Sequence, residues 1–295
     1  MYTKRLEITT TVGCVNSCRV CPQKVLKKAY RERSACRVLP FETFKRCLDS
    51  VPADVLIEFC GMSEPFGNPE CADMVLYAHE RGFRVSMYTT AVGMRLEDVQ
   101  KIGAVPFVTF KLHLPDIDGN FQLKTTEAYL AVLAEIRRTG ISGLESMSLG
   151  RADDVVRKVL GDAPHHPQEM SRLKSRVGNV SHMPSLYKAG RILCLRSPRL
   201  RRWVLLPSGD VLLCCMDYGM KHVIGNLTRQ TYPDIAASPE LKRIRRRMKD
   251  EKAGDIICRR CEIAGRPLSH LQNVYNLLIA RMRAFPALAD SSSGT

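Results

Sequence analysis

The sequence predicts an α/β protein, with about six parallel β/α units forming an incomplete barrel and a small hairpin-plus-helix domain behind them. Three observations lead there. Short β-branched or apolar runs alternate with helical patterns from residue 6 to residue 185, and the alternation stops after residue 190. The chain of 295 residues has room for one large core and an appendage. Six units are too few for a closed eight-stranded barrel, so the barrel is read as open.

Leu6–Thr11 alternates in polarity and reads as the first strand, ending at a cysteine run. A helical pattern opens at Leu39-Pro40 with apolar residues at Phe41, Phe44, Cys47, Leu48 and Val51. Val55–Cys60 reads as the second strand and ends in Gly61-Met-Ser-Glu-Pro65. Helix Cys71–Arg81, strand Arg84–Thr89, helix Leu96–Ile102 and strand Phe107–Leu114 follow, then a helix over Thr125–Thr139 stopped by Gly140. Leu144–Leu149 and Asp153–Leu160 repeat the alternation, and Arg176–Ser181 reads as a sixth strand. Beyond it, Trp203–Cys214 reads as a hairpin turning at Pro207-Ser-Gly-Asp210. Pro239–Lys249 reads as a helix leading to Cys258-Arg-Arg-Cys261, Leu268–Arg283 as another helix, and Asp290–Thr295 as a disordered tail. The predicted division is 1–185, 186–265 and 266–295. Ligand sites in such folds lie at the C-terminal strand ends, where Cys14, Gly61, Thr90 and His113 fall.

Hydrophobic content is 45%, and no apolar run approaches the roughly 20 residues of a membrane span. The segment Met1–Ile8 is too short and too charged for a secretion signal, so a cytoplasmic protein without membrane association is expected. Twelve cysteines in that setting point to thiolate ligands rather than disulfides. Cys36, Cys47, Cys60 and Cys71 are scattered and are expected to pack as small hydrophobes. The net charge is +15, densest at Lys242–Lys249 and Arg196–Arg202. A solvated face is the plain reading. Docking of an acidic electron donor such as a flavodoxin or ferredoxin comes next, and nucleic acid last, since no aromatic interleaving accompanies the charge.

Two cysteine groups carry the chemistry. Cys14, Cys18 and Cys21 are spaced C-x3-C-x2-C, so three thiolates can hold three irons of a [4Fe–4S] cluster and leave the fourth iron open. Cys194, one of Cys214 and Cys215, and Cys258 with Cys261 make a second set of four. Its C-x2-C element is shared by zinc and iron–sulfur sites. Beside an open-iron site, an auxiliary [4Fe–4S] cluster is favoured over structural zinc. Neighbouring residues of a strand face opposite ways, so Cys214, at G-x4-C from Gly209, is assigned as the ligand. Cys215 is then a buried structural thiol or a hydrogen-atom donor. His165-His166, flanked by prolines, is expected in an exposed loop.

On these residues the chain resembles radical S-adenosylmethionine enzymes with a C-terminal Twitch domain, a shortened SPASM domain with one auxiliary cluster. Val20-Cys-Pro22 follows the family pattern, and Gly61-Met-Ser-Glu-Pro65 is similar to its Gly-x-Gly-Glu-Pro motif. Gly209-x4-Cys214, Val223-Ile-Gly-Asn-Leu227 and Cys258-x2-Cys261 resemble the Twitch signature, and Arg176-Val-Gly-Asn179 resembles a segment that often precedes it. The resemblance covers residues 5–265. Val20 stands where the family usually has an aromatic residue, and Ser63 replaces a glycine.

The resemblance implies a partial (β/α)6 TIM-like barrel and S-adenosylmethionine as cofactor. One electron would cleave it to methionine and a 5′-deoxyadenosyl radical, which takes a hydrogen atom from substrate. By position, Gly61 and Glu64 would meet the methionyl amine. Thr90 and His113 are candidates for the ribose, or for plain strand-end packing. Arg176 would orient or polarise a substrate oxygen. The layout is similar to aminocyclitol dehydrogenases of the family, which implies a small sugar or aminocyclitol alcohol oxidised to a ketone, the auxiliary cluster accepting an electron. Epimerisation with Cys215 returning a hydrogen atom and peptide crosslinking of the SPASM-maturase kind stay open. So does a non-enzymatic cluster- or zinc-bearing scaffold that docks nucleic acid.

Overall fold

The computed structural model describes residues 4–16, 18–121, 123–169, 174–180, 183–250 and 254–267. The helix read over Leu268–Arg283 and the tail at Asp290–Thr295 lie outside them.

Six strands run parallel in chain order: β1 Arg5–Ile8, β2 Leu56–Phe59, β3 Val85–Thr89, β4 Thr109–His113, β5 Leu144–Leu149 and β6 His165–Gln168. Among the described residues β6 does not pair with β1, so the barrel is open. Five helices fill the crossovers from β1 to β5 and one the last: α1 Gln23–Arg31, α2 Phe41–Leu48, α3 Cys71–Glu80, α4 Leu96–Ile102, α5 Glu127–Thr139 and α6 Asp154–Leu160. β2 is buried along its whole length, as a strand covered on both faces must be. Phe44 and Phe59 meet in the layer between helices and sheet, their ring centroids 5.8 Å apart. Thr126 caps α5 through its hydroxyl, which accepts from the Tyr129 amide, and Gly140 ends the helix at φ +61°.

Two sequence expectations are corrected. The sixth strand is not Arg176–Ser181. Arg176 and Val177 both have positive φ, +53° and +55°, which no strand accommodates, and the chain turns there. The strand is instead His165–Gln168, expected as an exposed loop. β6 is an edge strand, paired only with β5, so it needs neither an apolar pattern nor a donor at Pro167. His165 is half-buried, its Nδ1 3.0 Å from Ser146 Oγ and its Nε2 3.3 Å from Ser148 Oγ. Helix α1, directly after the cysteine run, went unread because Pro22 and four basic residues mask its short apolar stripe around Leu26 and Tyr30.

The later residues do not stand apart from this sheet. β7 Leu193–Cys194 comes first, then β8 Arg202–Leu205, β9 Asp210–Leu212 and β10 Val223–Asn226. β8 lies parallel to β1, with Leu6 opposite Trp203, and β9 and β10 continue antiparallel, giving one sheet of nine strands. Gly209, at φ +82°, closes the β8–β9 turn. Helices α7 Tyr232–Ala236 and α8 Pro239–Lys249 follow, and β11 Ala264–Gly265 pairs antiparallel with β7. No helix among the described residues is long and apolar enough to cross a membrane.

Candidate functional site

The C-terminal ends of the parallel strands open into a chamber of about 420 Å³. Cys14, Cys18 and Cys21 line one side of it, all half-buried. The chain between β1 and α1 is held there by Gln23. Its amide nitrogen donates to Met62 O and lies 3.6 Å from Cys21 Sγ, while its carbonyl oxygen accepts from the Cys14 amide at 3.4 Å. Burial pushes the Cys14 thiol up, and it pushes Cys18 up to about 12, with Cys21 and Cys14 adding their negative charge. Three thiolates gathered this way repel one another until a cationic centre compensates them, and the soft donor set fits an iron–sulfur cluster. No three His, Cys, Asp or Glu side chains among the described residues converge tightly enough for a single metal ion. A cubane gives each thiolate its own iron and suits a wider set.

The loop after β2 forms the next wall. Gly61 has φ +90°, and a Cβ there would stand 2.5 Å from Thr9 Oγ1. Only glycine fits this close approach. Glu64 is buried, yet both its oxygens are satisfied. Oε2 accepts from the Thr90 amide (2.8 Å) and the Thr90 hydroxyl (2.6 Å); Oε1 accepts from Thr89 Oγ1 and from the Phe66 amide (3.3 Å). Asn16 Nδ2 donates to Thr90 Oγ1 at 2.9 Å, which ties the cysteine loop to this network. Burial raises the Glu64 carboxyl against these donors, so a cation at its exposed edge would hold it ionised. Ser63, the residue in place of the expected glycine, donates to Thr11 O at 2.6 Å. Its hydroxyl thus binds backbone at the end of the first strand segment. Val20 borders the chamber.

Further round, His113 stacks on Phe121 with centroids 6.0 Å apart and planes 5° from parallel. Burial, then Lys111 and Arg176, lower its pKa to about 4, so the imidazole is neutral at pH 7. Arg176 is half-buried, its Nη1 3.6 Å from Met216 Sδ and its guanidinium 6.0 Å from the Tyr218 ring. Tyr218 O–H in turn lies 3.8 Å from Cys21 Sγ. The residues after β9 therefore close the chamber against the first cysteine set.

Cys194, Cys214, Cys258 and Cys261 line a second, smaller cavity of about 50 Å³. β7–β11 pairing sets Cys194 opposite Ala264, and its sulfur accepts from the Ser197 amide at 3.3 Å. Burial raises the thiols of Cys214, Cys258 and Cys261. Four sulfurs round one apolar cavity could hold an auxiliary cluster. Cys215 borders both cavities, as do Glu7, Arg196 and Arg202. Burial pushes the Cys215 thiol up to about 12, with Glu7 adding to the effect, so it carries its proton at pH 7.

Sequence reasoning missed two supports. Glu7 and Glu58 are buried on the chamber floor, where Arg202 Nη2 lies 3.5 Å from Glu7 and 3.4 Å from Glu58, and Arg5 donates to Glu58. Their positions inside strands β1 and β2 are a polar signal at inward-facing sites. Arg259, between Cys258 and Cys261, is fully buried. It donates to Lys188 O (3.0 Å), Gly190 O, Arg247 O (2.8 Å) and Asp250 O. Nothing local distinguishes it from Arg260.

Comparison with known proteins agrees with this arrangement. Residues 194–262 match SPASM, the iron-sulfur cluster-binding domain. Among solved structures, BtrN in complex with AdoMet and 2-DOIA superposes with TM-score 0.57 at 16% identity, over 90% of this chain and 94% of that one. Streptococcus suis SuiB bound to precursor peptide SuiA gives TM-score 0.58 at 14% identity, over 89% of this chain and 70% of that one. Native anSMEcpe with bound AdoMet gives 0.57 at 11%, over 95% and 98%. No curated protein sequence matches the chain. Residues 194–262 thus match the SPASM iron–sulfur cluster-binding domain, and the chain as a whole shares the fold of these three solved structures.

Proposed function

We propose that this protein is a cytoplasmic radical S-adenosylmethionine oxidoreductase that converts an alcohol of a small sugar or aminocyclitol to a ketone. Residues 1–185 would form the initiating unit and 186–265 the auxiliary one. One observation carries the reading: two cysteine sets border adjoining cavities, with a chamber of about 420 Å³ against the first. When bound, a cluster with an open iron, S-adenosylmethionine and an auxiliary cluster would supply a carbon-centred radical and an acceptor for the electron that oxidation releases.

The chain's own residues then position and insulate. Cys14, Cys18 and Cys21 hold the first cluster; Cys194, Cys214, Cys258 and Cys261 hold the second. Glu64, already oriented by Thr89 and Thr90, would receive the methionyl ammonium, and Gly61 lets the loop that carries it pack against Thr9. Thr90 and His113, which line the same chamber, would contact the ribose. Neutral His113 offers one N–H donor and one acceptor rather than a charge. Arg176 orients a substrate oxygen, since a guanidinium keeps its protons. The basic face at Lys242–Lys249, with Arg199 and Arg201 of the Arg196–Arg202 run beside it, suits an acidic flavodoxin or ferredoxin as electron donor.

The protonated Cys215 thiol favours a second reading, an epimerase in which this thiol returns a hydrogen atom. Reconstituted protein is assayed for 5′-deoxyadenosine and then for products from aminocyclitols and sugars in D2O. Ketone formation supports the oxidase. Solvent deuterium at an inverted carbon, lost in Cys215→Ala, supports the epimerase. Absence of 5′-deoxyadenosine above background would sink both.

A further inference from the structure

The chamber holds cations that make no ion pair among the described residues. Four cationic side chains line it: Lys111, Arg176, Arg196 and Arg202. Two of them are neutralised. Lys111 Nζ lies 2.9 Å from Glu145, and Arg202 lies between Glu7 and Glu58. Arg176 meets only a thioether and an aromatic ring within the described residues, and Arg196 Nη1 lies 4.0 Å from Cys215 Sγ. Neither makes an ion pair among the described residues, and Glu7 acts on both only from farther off. The remaining carboxylate of the chamber, Glu64, has both oxygens committed to Thr89, Thr90 and Phe66 on the opposite wall. The nearby His113 is neutral and adds no charge.

Arg196 thus reaches Cys215 and Arg176 reaches the adjoining Met216, so the two guanidiniums approach one short segment of the chamber wall from different parts of the chain. Arg176 is fixed there by a left-handed backbone turn and by Tyr218; Arg196 follows β7 by two residues. Two planar forks on the wall of one concave site, Arg176 half-buried and Arg196 exposed, suit an oxyanion, and the walls concentrate their field on it.

We propose that the substrate of this chamber is an anion, its carboxylate or phosphoryl group held between Arg176 and Arg196 beside Cys215. The proposal rests on reading the chamber as the substrate site and narrows the class of molecule to an acidic or phosphorylated sugar, in place of the neutral sugar or cationic aminocyclitol that the layout alone suggests. Arg196 thereby becomes a specificity-determining residue, and the bound oxyanion sets which carbon stands next to Cys215.

The test does not depend on turnover. Holoprotein is treated with phenylglyoxal, which modifies accessible guanidiniums, in the presence of inorganic phosphate or acetate, and each arginine is followed by peptide mass spectrometry. Phosphate or acetate is expected to slow modification of Arg176 and Arg196 at least about fivefold while leaving the exposed Arg229 unchanged. Stronger protection by phosphate marks a phosphorylated substrate, stronger protection by acetate a carboxylate. Arg196→Gln should raise the concentration that half-protects Arg176 by about tenfold, and Arg196→Lys should restore part of it. Protection by neither anion, equal protection of Arg229, or an unchanged half-protecting concentration in Arg196→Gln overturns the proposal. Loss of 5′-deoxyadenosine formation with protection intact would instead count against the proposed enzymatic function alone.

Discussion

Replacing Arg259 with Met should remove the auxiliary cluster while leaving the first cluster in place. The side chain is fully buried and its guanidinium donates to four backbone carbonyls, those of Lys188, Gly190, Arg247 and Asp250. Arg247 and Asp250 lie at the C-terminal end of α8, where unpaired carbonyls and the negative end of the helix dipole gather. One cation therefore caps a helix and fastens the 188–190 segment to the turn that bears Cys258 and Cys261. Hydrogen bonds to a charged donor contribute about 1.5–3 kcal/mol each, so four of them exceed any plausible net effect. Removing the guanidinium from water costs several kcal/mol and offsets part of that sum. A net loss of about 3–5 kcal/mol remains, since Met fills the volume but takes the charged donor away from four part-buried carbonyls. The assay is iron and sulfide content per chain, with thermal unfolding in parallel. Arg259→Met should lose about half the iron and unfold about 10 °C lower. A variant that keeps full iron content and unfolds within about 2 °C of the parent would refute the argument.

Two further outcomes follow from the same geometry. Gly61→Ala combines a positive φ with a Cβ 2.5 Å from Thr9 Oγ1, so it should destabilise by about 1–3 kcal/mol and abolish binding of S-adenosylmethionine, measured by equilibrium dialysis. Glu240 is held down to about 2 by Arg243, to which it is hydrogen-bonded, and also by His222. A carboxyl depressed on folding stabilises above its unfolded pKa and loses that contribution as pH falls, here between about 4.5 and about 2. Over that window the parent should lose more thermal stability than Glu240→Gln; parallel curves would refute the linkage.

The parts of the fold legible in the sequence are those whose cause is local. Alternation of Val85–Thr89 or Thr109–His113 with capped helices such as α5 follows from neighbours two to four residues away, and the open barrel follows from counting such units. The cysteine spacing and Gly61–Pro65 are likewise local, and the residues singled out there border one chamber. What stayed hidden has distant causes. β6 is a strand because β5 offers it an edge, despite a His-His-Pro-Gln composition. Glu7 and Glu58 are tolerated inside strands because Arg202 arrives from far along the chain. Arg259 is distinguished from Arg260 only by the four carbonyls that happen to surround it.

The parallel pairing of β8 with β1 has a consequence for how the protein comes to be made. β1 precedes the first cysteine set, and its amides at Arg5 and Thr9 donate to Arg201 O and Leu205 O at 2.8 and 2.9 Å. Those partners emerge from the ribosome about 200 residues later, so the strand at the centre of the finished sheet is an open edge throughout synthesis of the barrel. An unprotected central strand invites pairing with other chains. A fragment ending before residue 200 would carry Cys14, Cys18 and Cys21 and still present that edge, which makes the segment from β8 onward the natural guard against aggregation of the six-stranded part.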